Sequence, residues 1–202
     1  MKKRVPVYLL IIVVLILAFS LWKNYSYSSE KEHLRNNMLS TTLFSLKNIS
    51  TDLEDILIGL ENSTPYEECE DKLIRLSNEF AELHFALTTY ATYFPPTGKT
   101  RNCYPSIISF DFIGRTLVGG WGEINGNRYD GIMFDNTITD KEVQYLSELK
   151  KSADNMIEAI TKKDSLNQLT EISPSYLDEV IRDFTEKYFT AYDDSPLRLL
   201  FE

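Results

Sequence analysis

The 202 residues contain only two histidines and two cysteines, and that scarcity removes whole classes of chemistry. His84 has no His, Asp or Glu three or four residues away with which to build a metal pair on one helix face. His33 lies among polar residues close to the N-terminal segment. Neither a Gly-x-Ser-x-Gly elbow nor a His-Glu-x-x-His pair occurs. No catalytic set, metal site or cofactor is therefore expected. The cysteines are also badly placed for each other. A helix running from Cys69 to Phe94 would separate those residues by ~37 Å, and the nine residues on to Cys103 reach back ~30 Å at most. Geometry argues against an intrachain disulfide, which would need that helix to break, and leaves a bond between chains open to Cys103.

Basic residues are in deficit, 21 against 30 acidic. Lys2, Lys3, Arg4 and Lys23 flank the N-terminal apolar run, so the remainder holds 17 basic against 30 acidic residues, about −13. Such a surface repels nucleic acid and anionic lipid. A bound nucleotide is not expected either, although Thr97–Thr100 reads "TGKT". A phosphate-binding loop needs a glycine five residues before Gly98, between a strand and a helix. Tyr93 holds that position, a helix precedes it, and Pro105 argues against a helix after it. A calcium loop centred on Gly131 fails as well, because Gly126 and Arg128 would occupy ligand positions.

Long apolar runs are absent except one. Val5–Trp22 has no charge over eighteen residues, ~27 Å as a helix, which matches the hydrocarbon core of a bilayer. Three basic residues precede it and only Lys23 follows directly. The charge bias predicts residues 1–4 in the cytoplasm, 5–22 as a single-pass anchor, and 23–202 as one extracytoplasmic domain. The alternative is a secreted protein cut near Ser20, with Ala18 and Ser20 as the small residues of the cleavage site.

Leu39, Leu43, Leu46, Ser50, Leu53, Leu57 and Leu60 recur in steps of four and three, as do Cys69, Leu73, Leu76, Phe80, Leu83, Leu87, Tyr90 and Phe94. This spacing predicts helices over about 30–61 and 65–94, packed as an antiparallel hairpin. Thr64 is the expected N-cap of the second, with Pro65 at its first position and Glu67 completing a capping box. Further helices are expected over about 139–162, capped by Thr139 and Glu142, and about 174–190.

Proline is absent from Ser106 to Ser173, while six of the eight glycines fall between Gly114 and Gly131. That region is rich in aromatic and β-branched residues. It reads as a three-stranded antiparallel meander, about 106–113, 116–124 and 127–134, turning at Gly114-Arg115 and Asn125-Gly126. In that register Glu123 faces Arg128 and Gly122 faces Tyr129. The expected fold class is α+β, mainly α: an anchor, a helical bundle and an inserted β-meander.

The candidate binding residues are Trp121, Arg128, Tyr129 and Asp130 on the meander, with Asp111 on its first strand. Aromatic faces beside polar groups suit protein, peptide or glycan contacts. The leading functional reading is a membrane-anchored, non-catalytic module that binds an envelope or membrane protein. A ligand sensor acting through a membrane partner is the alternative, since a long helix leading into antiparallel strands resembles the layout of Cache-like sensory domains. A hydrolase using Asp111 and Asp130, and a homodimer formed through the Leu39–Leu60 stripe, complete the readings.

Overall fold

A computed structural model describes residues 7–62, 65–94, 103–120, 122–124, 127–163 and 172–185. Among them are five helices: α1 Val7–Glu61, α2 Tyr66–Tyr93, α3 Cys103–Val118, α4 Asp140–Lys163 and α5 Pro174–Thr185. Two three-residue strands, β1 Gly122–Ile124 and β2 Asn127–Tyr129, lie between α3 and α4.

The membrane-length segment and the first bundle helix are one continuous helix of 55 residues. Nothing in "KNYSYSSEKE" interrupts the backbone, since it holds neither proline nor glycine. The N-terminal part of α1 is the one stretch among the described residues long and apolar enough to cross a membrane. From Ile11 to Trp22 its side chains are exposed throughout and bury nothing against the rest of the described chain.

From about Leu39 onward α1 enters the bundle. Leu39, Leu46, Ile49, Leu53 and Ile56 are buried, and Leu43, Leu57 and Leu60 pack partly against the same core. All eight stripe residues from Cys69 to Phe94 are buried. Leu146, Leu149, Ala153, Met156 and Ile160 line the inner face of α4, and Leu177, Ile181 and Phe184 that of α5. Burying each large side chain of this kind contributes about 1.5–3 kcal/mol, which is what holds these helices together.

The contacts close into a ring: α1 on α2 and α4, α2 on α3, and α5 between α3 and α4. Polar pairs on the flanks set the register. Asn48 donates to Glu79 at 3.1 Å, Asp52 pairs with Arg75, and Asp55 lies 3.6 Å from Lys72. Each step forward on α1 is matched by a like step back on α2, so the two run antiparallel without slippage. Glu54 with Lys150 and Ser50 with Asp154 show α4 antiparallel to α1 as well.

The expected three-stranded meander is not present. Residues 106–113 and the start of 116–124 form α3, so the chain is a helical bundle with a two-stranded ribbon rather than an α+β fold. Gly114 is not a turn residue. A side chain there would come within 3.0 Å of the Ser77 carbonyl and 3.3 Å of the Phe80 Cβ, so glycine lets α3 press onto α2. Ser77 Oγ donates to the Gly114 carbonyl at 2.8 Å across that contact. Pro105 does not prevent the helix either; it sits in the first turn of α3, where its missing N–H has no helical partner to lose.

The helix ends follow local rules. Thr139 and Glu142 form the reciprocal capping box on α4, with Thr139 N donating to Glu142 Oε2 at 2.7 Å. Ser173 Oγ accepts from Tyr176 N at the start of α5. The N-cap of α2 is Pro65, without a side-chain cap; Thr64 lies outside the described residues. Residues 186–190, expected in the last helix, lie outside them too.

Candidate interaction surfaces

The C-terminus of α1, the N-termini of α2 and α4 and the ribbon gather at the end of the bundle opposite the apolar segment. Gly120 ends α3 at φ 65, with its N–H returning to the Arg115 carbonyl. Gly131, at φ 93, lies against it so closely that a Cβ would fall 2.7 Å from the Gly120 nitrogen. Ile132 is fully buried and its N–H bonds the Thr116 carbonyl at 3.2 Å. The ribbon is thus clamped to the bundle at its base. Its strands pair antiparallel, with Gly122 opposite Tyr129, Glu123 opposite Arg128 and Ile124 opposite Asn127.

Three of the five candidate residues stay with this feature: Arg128 and Tyr129 on β2, and half-buried Asp130 at its base. Trp121 lies outside the described residues. Asp111 does not belong with them on a strand. It is a helical residue of α3, ion-paired with Arg115 at 2.9 Å one turn on, so it is engaged within its own helix. Its expected place on the first strand of a meander is corrected accordingly.

Carboxylates gather around Tyr66 at this same end of the bundle. Burial raises the pKa of Tyr66, and the nearby Glu70, Asp135 and Glu142 push it further up. Burial also raises Glu142, against its hydrogen bonds from Thr139. Phe134 is 65% exposed beside this acidic rim. Among the described residues no three His, Cys, Asp or Glu side chains converge as a metal site would require.

Two other features are not anticipated from the sequence. An open cleft of about 370 Å³ runs between α4 and α5, lined by Ser152, Asn155, Met156, Ala159, Val180, Asp183 and Phe184. The second is the outer side of α1 and α2, where Phe44 and Phe85 are 65% and 72% exposed. These two rings lie off the helical stripes, and that displacement is the signal by which they could have been found.

Cys69 is free and buried, and burial raises its thiol pKa, so it is an inert packing residue. The Leu39–Leu60 stripe is consumed within the chain and is not available to a second copy. No protein-family model matches the sequence, and no curated protein or solved structure shows significant similarity to it.

Proposed function

We propose that the chain is a membrane-anchored, non-catalytic module whose bundle stands outside the cytoplasm and presents the ribbon to an envelope or membrane protein. The continuous helix α1 carries this reading. From Trp22 to Glu61 it extends ~58 Å, so a bilayer gripping its apolar part would hold the ribbon end far from the lipid surface. Lysine and arginine before the apolar run favour a cytoplasmic N-terminus. The clamped ribbon pairs with no third strand among the described residues. Sharing its end of the bundle with an exposed phenylalanine and an acidic rim, it suits capture of a basic or extended segment of a partner.

The test is purification of the full-length protein from its native membrane in mild detergent, alongside Trp121→Ala, Tyr129→Ala and Phe134→Ala variants. A stoichiometric partner lost from those variants is the expected result. Recovery of the protein without any partner, in every version, would overturn the proposal.

A further inference from the structure

The outer face of α1 and α2 differs chemically from the rest of the molecule. One residue in four of this chain is charged. Yet Asn36–Leu46 of α1, and Leu83–Phe94 at the end of α2, contain no Asp, Glu, Lys or Arg. The Asn48–Glu79 and Asp52–Arg75 pairs set the register that lays these two segments side by side. Their exposed residues are Asn37, Ser40, Thr41 and Phe44 on one helix, and Phe85, Thr92 and Tyr93 on the other. Exposed Lys47 and Glu82, three residues from Phe44 and Phe85, bound this uncharged stretch, and depletion of charge around the aromatic residues within it is the composition of an interface core.

Three hydroxyls along this face are already satisfied. Thr41 donates to the Asn37 carbonyl, Thr89 to Phe85 and Thr92 to Thr88, each four residues back on its own helix. Covering these three hydroxyls therefore costs little, while Asn37, Ser40 and Tyr93 are left to find partners across the contact.

Which partner fits follows from charge and height. The chain carries a net −9, so two copies meeting through most faces bring like charges together. This neutral band avoids that repulsion. Phe44 lies four residues before Asn48 and Phe85 six residues after Glu79, so the two rings differ in height by only ~3 Å. A two-fold axis along the membrane normal preserves height. It therefore brings Phe44 of each copy against Phe85 of the other, the reciprocity that a closed dimer requires.

We propose that this face joins two parallel copies of the chain, side by side in one membrane. The proposal rests on the anchoring by α1 but not on the ribbon or its partner. Anchoring sets both copies at the same height, ~33 Å beyond Trp22, and removes much of the orientational freedom that association in solution would cost.

The test places a photoreactive benzoyl-phenylalanine at position 85 of the full-length protein, and separately at the exposed position Ile58 as a control, in native membranes. Alkaline extraction of the same membranes checks the anchoring independently. The expected product is an adduct of two copies, joined near Phe44, from position 85 and not from Ile58. Phe44→Glu should reduce that adduct at least about tenfold while leaving the helical circular dichroism unchanged, since Phe44 holds up nothing in the core. An adduct with a different protein, no adduct, or an adduct indifferent to Phe44→Glu would each overturn the proposal. If the protein also leaves the membrane on extraction, the anchoring itself is what failed.

Discussion

Glu79 shows how a single carboxylate can be held against its own preference. Burial raises its pKa, the hydrogen bond from Asn48 only partly offsetting this, and its Oε2 is buried without a hydrogen-bond partner among the described residues. Because the folded pKa lies above the unfolded one, the folded state retains the proton longer as pH rises. Stability falls as pH rises from about 4.5 through the folded pKa. Glu79→Gln keeps the bond to Asn48 and removes the charge, so it should raise Tm at pH 7 by about 1–3 °C and flatten that decline. Thermal unfolding between pH 4 and 8 measures both. Asp154 behaves oppositely. Its burial would raise the pKa, but Ser50 and Lys150 outweigh this and lower it, so its contribution is present above pH ~4 and lost on acidification. Gly131 offers a sharper test. Its positive φ and its contact with Gly120 leave no room for a methyl group, and Gly131→Ala should cost about 1–3 kcal/mol in chemical denaturation.

Elements were legible in proportion to how strongly their burial is one-sided. α2 and the bundle part of α1 bury one stripe each, and their spacing revealed them, while α4 was marked by the Thr139–Glu142 cap. α3 was misread because "SIISFDFIG" favours strands locally, while Phe110, Ile113 and Leu117 take helical spacing to fit between α2 and α5. Propensity lost to packing there. The glycines misled for a related reason: Gly114 serves close approach, whereas Gly120 and Gly131 carry positive φ. A leucine at 114 should therefore separate α3 from α2 and cost about 2–4 kcal/mol, read as a shifted denaturation midpoint. The candidate site was legible only as a ribbon; Phe44 and Phe85 stand off the helical stripes in the sequence, but only the register places them side by side.

On the scale of the whole molecule, the two ends and the side of the bundle have different chemistry. Among the described residues the apolar part of α1 packs on nothing, the far end is acidic, and the α1–α2 side is uncharged only over Asn36–Leu46 and Leu83–Phe94. Between Lys23 and Ser29 the serines and tyrosines leave α1 helical, and Ser26 reaches only along the same helix, to Glu30 at 3.4 Å. Replacing Ser28 with proline should kink the helix there by more than about 20° and leave the bundle intact. Spin labels at Trp22 and Thr51 would show a shortened, broadened distance distribution, with an unchanged unfolding midpoint.

An unbroken helix is also a lever. If α1 is seated in a bilayer, it cannot tilt without carrying the bundle with it. A tilt of about 20°, ordinary for a membrane helix, would displace the ribbon sideways by ~20 Å over its ~58 Å arm. Packing against neighbouring membrane helices, by setting that tilt, would then decide how far to the side the ribbon reaches.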